Sequence, residues 1–198
     1  MKSITAVTFL GILTCAFASY KPYISEKCQE LEAMSNFQPA RFFKGTWYVT
    51  HAKNGTVATV CHKYKTKKEK NGKFRFDYGY YNNGNQDPFF QVRCEETNKI
   101  ENKQFSFYCQ LIKGQESSTF QHYNVDLTFI DTDYESFAIF YTCVPIGSLG
   151  YAYNFLVLHR KKADSNYAKA KNVLERQGLR LDSFLNRKNS NCKTNPKF

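Results

Sequence analysis

The 198-residue chain is poorer in acidic than in basic side chains, and that shortage bounds its partners. Seventeen Asp and Glu face 28 Lys and Arg, a formal charge of +11 that favours anionic partners and raises their encounter rate. No Gly-rich phosphate loop lies between a strand and a helix, no serine sits in an elbow motif, and no carboxylate pair stands out. Nothing in the sequence therefore supports an enzyme. The four histidines have no metal-ligand spacing and no cysteine lies in a CxxC pair, so neither a thiolate zinc site nor thiol redox chemistry is expected. Repeats, linkers and a second domain are also missing. Beyond the first residues no apolar run is long enough to span a bilayer, which takes about 20 apolar residues.

The first residues read as a leader. Lys2 supplies a positive start, Ile4 to Ala18 is a short uncharged apolar run, and Ala16-Phe17-Ala18 offers the small-x-small cleavage pattern. Residues 1–18 are thus expected to be a signal peptide and 19–198 one exported domain, whose charge falls by one to +10 with the loss of Lys2. Without Cys15, six cysteines remain: Cys28, Cys61, Cys94, Cys109, Cys143 and Cys192. An even number in an exported chain reads as three disulfides, for which six cysteines allow 15 connectivities. Asn54-Gly55-Thr56 is an N-glycosylation sequon and predicts a surface position for Asn54.

What the chain does have is alternation with a period of two. Strands are predicted over Gly45–Ala52, Thr59–Lys67, Lys73–Tyr81, Pro88–Glu96, Gln104–Ile112, Phe120–Ile130, Ser136–Val144 and Tyr151–His159. Their regular spacing argues for an antiparallel barrel or sandwich. A helical turn over Phe37–Phe43 precedes them. A C-terminal helix is expected from about Asn166 to Arg176, capped by Asp164-Ser165 and stopped by Gly178. A further short turn follows around Asp182–Arg187, and the tail after Cys192 reads as loose. Lys63, Lys65, Lys67, Lys68 and Lys70 form a basic run, read first as a solvated face that guards against aggregation and second as a surface for anions.

Three motifs in order resemble those of the lipocalins. Gly45-Thr46-Trp47 is similar to their G-x-W, Thr132-Asp133-Tyr134 to their T-D-Y turn, and Arg160 stands where they keep an arginine over the tryptophan. Phe42-Phe43-Lys44-Gly45-Thr46-Trp47-Tyr48-Val49-Thr50-His51 narrows the resemblance to the triabin and nitrophorin lipocalins of triatomine saliva, and to their haem-free platelet inhibitors most of all. The resemblance implies an all-β, eight-stranded up-and-down barrel with a C-terminal helix. It also implies the pairing Cys28–Cys143, Cys61–Cys192 and Cys94–Cys109, and secretion in saliva. Tyr80 stands where the nitrophorin haem histidine belongs, so no haem or other cofactor is expected.

A barrel of this size holds one small ligand. Tyr80, Tyr78 and Phe76 form an aromatic stripe, and with Tyr123, Tyr153 and a mouth-facing His51 they are the candidate ligand residues. The expected function is sequestration, by a monomer, of an anionic host mediator, an eicosanoid (cysteinyl leukotriene or thromboxane) ranked just ahead of ADP. Such capture would oppose platelet aggregation and vasoconstriction. Amines fit less well, because a cation wants an acidic mouth. The alternative is a protein inhibitor that blocks a coagulation or contact-phase protease through its outer surface, with Val144–Tyr151 as a lid or contact patch. Neither a nucleic-acid partner nor a membrane span is expected.

Overall fold

A computed structural model describes residues 24–100, 104–114, 121–162 and 167–196. The proposed leader and the Asp164-Ser165 cap lie outside them. The elements are β1 (Ile24–Ser25), α1 (Pro39–Phe42), β2 (Gly45–Ala52), α2 (Val57–Val60), β3 (Lys63–Lys68), β4 (Phe74–Asn82), β5 (Gln86–Ile100), β6 (Gln104–Lys113), β7 (His122–Thr132), β8 (Phe137–Pro145), β9 (Tyr151–His159), α3 (Ala168–Arg176) and β10 (Leu185–Asn186). Each strand from β2 to β9 pairs antiparallel with the next, and β9 pairs back to β2. The eight strands therefore form a closed up-and-down barrel, the architecture that leaves no sheet edge.

The strand bounds follow the alternation with two exceptions, of which one is β5, which runs from Gln86 to Ile100 and so beyond the expected Pro88–Glu96. Residues Thr59 to Cys61 do not extend β3, because Val57–Val60 turns into a single helical turn. Thr56 and Thr59 cap it reciprocally, each side chain taking the other's backbone N–H. In β3 the lysines at 63, 65 and 67 alternate with the buried Tyr64 and Thr66, so the basic run is the outer face of a barrel strand.

One end of the barrel is plugged. Trp47 is 0% exposed, stacks on Phe42 with ring centroids 5.2 Å apart, and donates its indole N–H to the Phe42 carbonyl at 3.0 Å. Phe37, Phe43, Phe74, Phe105, Phe129 and Phe140 complete an aromatic floor. The Arg160 guanidinium lies 3.5 Å from the Trp47 ring and donates to the carbonyls of Lys44, Thr46 and Tyr134, closing the seam between β2, α1 and the turn before β8.

The outer wall of β8 and β9 is covered as well. Ala170, Val173 and Leu174, at helical spacing, turn one face of α3 onto Ile139, Phe155 and Val157. A nine-residue helix is marginal alone, so this packing holds it. The Leu179 N–H bonds back to the Leu174 carbonyl across Gly178 at φ +69°, which ends the helix at the expected glycine.

The three disulfides are Cys28–Cys143, Cys61–Cys192 and Cys94–Cys109, the pairing that the resemblance implies. The first ties the N-terminal segment to β8, the second joins the end of α2 to the C-terminal tail, and the third links opposed residues of β5 and β6. The tail is not loose as far as Asn195. Lys193 N–H donates to the Gly84 carbonyl at 2.9 Å and Asn195 Nδ2 to the Gly79 carbonyl at 2.7 Å. Cys61 and Cys192 are 131 residues apart, so their bridge restrains a long loop of the unfolded chain. Replacing both with alanine should cost about 3 kcal/mol in a denaturant titration. A loss below about 1 kcal/mol would mean that hydrogen bonding alone holds the tail.

Candidate ligand-binding cavity

Between the aromatic floor and the open end lies a cavity of about 150 Å³. Its lower wall is apolar, formed by Phe76, Val125, Leu127, Phe140 and Leu156, while His62, Tyr64, Tyr78, Tyr123, Thr59, Thr142 and Asn154 bring polar atoms toward the mouth. The inward alternation of neighbouring strands builds this gradient. Phe76, Tyr78 and Tyr80 come from β4, Val125 and Leu127 from β7, and Asn154 and Leu156 from β9.

The polar aromatic side chains form one cluster. The hydroxyls of Tyr78 and Tyr123 share a 2.5 Å hydrogen bond. The His62 ring lies 4.8 Å from that of Tyr78 and 4.9 Å from that of Tyr80, with Nδ1 3.5 Å from the Tyr64 hydroxyl. Burial, with the Arg187 charge second, pushes the His62 pKa down to about 3, so the ring is neutral near pH 7. Burial likewise raises the pKa of Tyr64, Tyr78, Tyr80 and Tyr123 and keeps all four phenols protonated. No Lys, Arg, Asp or Glu is among the described residues of the wall. The cavity thus offers hydrogen bonds and ring faces but no formal charge.

Phe76, Tyr78 and Tyr123 stand in this wall, and Tyr80 continues the stripe just above it, stacked on Phe90 at 5.3 Å. His51 and Tyr153 do not. A bulge between Val49 and His51 reverses the parity of β2, so His51 points out of the barrel and packs edge-on against Tyr167 at 4.6 Å. Tyr153 also faces outward, beside Tyr141 in the cluster under α3. Asn54 is not a surface residue. It is 4% exposed, its Nδ2 donates to the Tyr153 carbonyl, and its backbone exchanges two hydrogen bonds with the Asn154 side chain. That amide anchors the mouth loop.

His62 and Tyr64 were legible but missed. Once the lysines of β3 are assigned to solvent, His62, Tyr64 and Thr66 must face inward. Haem does not fit the residues present, because the ligand position holds Tyr80 with a protonated phenol. Among the described residues no three His, Cys, Asp or Glu side chains gather to hold a metal.

The sequence profile of the triabin family matches residues 21–172. The chain belongs to the triabin family. It is 38% identical over 192 residues to triafestin-1 of Triatoma infestans, covering 94% of this chain and 91% of that one. It is 34% identical over 166 residues to triabin of Meccus pallidipennis, covering 84% and 96%. Among solved structures, the tryptamine complex of the amine-binding protein of Rhodnius prolixus superposes with a TM-score of 0.71 at 20% identity, over 85% of this chain and 91% of that one. A variant of LTBP1 in complex with leukotriene C4 superposes with a TM-score of 0.60 at 27% identity, over 81% and 91%. These likenesses place the triabin-family chain among salivary lipocalins that bind small ligands, and its three disulfides are consistent with secretion.

Proposed function

We propose that this salivary triabin-family protein sequesters an eicosanoid, without catalysis, and so opposes platelet aggregation and vasoconstriction. The observation that carries the reading is an aromatic cavity whose polar groups are all neutral. An unpaired charge buried there would be costly, so the buried part of the ligand is uncharged. An eicosanoid meets this condition. Its hydrocarbon chain takes the apolar wall of Phe76, Leu127 and Phe140, a hydroxyl or carbonyl oxygen takes the Tyr78–Tyr123 pair, and its carboxylate remains at the mouth. An apolar cavity of about 150 Å³ holds roughly one benzene-sized group, so only the end of the chain is enclosed and the rest lies between the mouth loops. The likeness to LTBP1 with leukotriene C4 supports this class of ligand.

ADP falls behind, because a pyrophosphate would find no lysine or arginine in the wall. A cationic amine would find no carboxylate there. Isothermal titration with leukotriene C4, a thromboxane mimic, ADP, serotonin and haemin tests the reading. One eicosanoid should bind one-to-one with submicromolar affinity while ADP stays silent. Silence of both eicosanoids would overturn it.

A surface-mediated inhibitor of a coagulation or contact-phase protease is the second reading. It is favoured by Leu149, 67% exposed in the segment 144–151, with Ile24 exposed on β1 nearby. Protease inhibition lost on Leu149→Ser, with no eicosanoid bound, would select it.

A further inference from the structure

The outer face of β2 and β3 gathers cations around one aromatic ring, on the opposite side of the barrel wall from the cavity. Tyr48 of β2 pairs in register with Lys63 of β3, and Thr46 with Lys65. The Lys162 ammonium lies 5.7 Å from the centroid of the Tyr48 ring, and the Arg187 guanidinium also 5.7 Å from it. Along β3 the outward lysines at 63, 65 and 67 recur about every 7 Å, the two-residue repeat of a strand. Four cations from three separate parts of the chain thus surround Tyr48, and Lys67 extends the row.

Folding brings these like charges together at a cost. The Lys63 pKa is lowered by burial first and then by Lys65 and Lys162, which marks mutual repulsion. Arg187 is held rigidly, its Nη1 donating to the carbonyls of Val60 at 2.8 Å and of Val49 and His62 at 3.3 Å. Its Nε and Nη2 make no hydrogen bond among the described residues, and neither Arg187 nor Lys162 has an ion-pair partner there. A rigid arginine fork beside a row of lysines is the donor set that suits oxyanions of sulfate type.

We infer that the face formed by Lys63, Lys65, Lys162 and Arg187 around Tyr48 binds a sulfated polysaccharide chain. The row of lysines along β3 fits a linear polyanion rather than one isolated anion. A bilayer surface fits less well, because membrane attachment needs apolar side chains beside the charge, and the most exposed one, Leu149, lies at the barrel mouth. The role would be retention at glycan-coated surfaces while the cavity remains free for its ligand.

The test uses the whole folded protein, with heparin hexasaccharide as probe, hyaluronan as the unsulfated control, and phosphatidylserine–phosphatidylcholine vesicles as the bilayer. The variant is Lys63→Glu with Lys162→Glu, and the charge-matched control is Lys27→Glu with Lys171→Glu. Wild type should bind the hexasaccharide, and not hyaluronan, with an affinity that falls as salt rises. The Lys63/Lys162 variant should bind at least about tenfold more weakly and elute from immobilised heparin at clearly lower salt, while the control changes less than about threefold. If thermal melting shows that the glutamate variant is unfolded, Lys63→Gln with Lys162→Gln replaces it. Equal losses in both double variants would show a mere net-charge effect and overturn the assignment. So would vesicle binding that depends on Lys63 and Lys162 in a protein that ignores heparin.

Discussion

Trp47→Ala should cost about 4 kcal/mol of stability, the largest effect expected of any single substitution in this chain. The indole is fully buried, stacks on Phe42, spends its N–H on the Phe42 carbonyl, and supports the Arg160 guanidinium from below. Truncation opens a ring-sized void in the floor, removes a buried hydrogen bond, and leaves Arg160 over an empty space. Trp47→Phe keeps most of the ring and should cost only about 1–2 kcal/mol. Both values come from guanidinium titrations followed by circular dichroism, since Trp47 is the only tryptophan and its fluorescence disappears with it. A loss below about 1 kcal/mol for the alanine variant would show that the floor does not depend on its plug.

Acid should destabilise the barrel between about pH 6.5 and 4, through histidines that the fold keeps neutral. His51 is packed under Tyr167, with Nδ1 3.2 Å from Thr50 Oγ1, and that oxygen lies 2.8 Å from His159 Nδ1. Burial, with the charge of His159 second, lowers the His51 pKa to about 4. His62, lowered to about 3, adds to the effect from inside the cavity. Because both folded values lie below the unfolded one, the stability is fully present above about pH 6.5. It drains as pH falls toward the folded values, because the unfolded chain takes up protons that the folded chain refuses. His51 alone contributes about 3 kcal/mol by pH 4, from a shift of roughly 2.5 units. Burial opposes ionisation of Asp133, but hydrogen bonds from Ser136 hold its carboxyl well below the usual range, so its loss comes at lower pH. Denaturant midpoints across the window should fall steadily for wild type and less steeply for His51→Gln. A flat profile would refute the burial of these rings.

The barrel was legible because β3, β6 and the first half of β7 bury one face and leave the other exposed or half-exposed, so each prints its period on the sequence. The plug was legible because Trp47, the Thr132-Asp133-Tyr134 turn and Arg160 occupy fixed places around one seam. The inward side of β9 was not, for a physical reason. Phe155 and Val157 face α3 while Leu156 and Leu158 face the core, so both faces are apolar and alternation says nothing about Tyr153. His51 was misplaced by a single bulge, which no residue type in Val49-Thr50-His51 announces. The sequon suggested a surface position for Asn54, which is buried, because a motif specifies the acceptor and not its burial. The net charge favours anionic partners, whereas no described lysine or arginine stands in the cavity wall. That separation of charge from cavity is what widens the gap between eicosanoid and ADP.

The central claim is that the mediator occupies the barrel interior, and blocking that space tests it most directly. Val125, 6% exposed, lines the cavity two residues along β7 from Tyr123, and Val125→Phe would place a ring where the ligand chain belongs. Overpacking there should cost no more than about 1–3 kcal/mol, which leaves the barrel folded by circular dichroism. Titration of leukotriene C4 into this variant should show affinity at least about a hundredfold below wild type, with the binding of heparin hexasaccharide unchanged. Undiminished leukotriene binding by the filled barrel would contradict the account and move the ligand site to the outer surface.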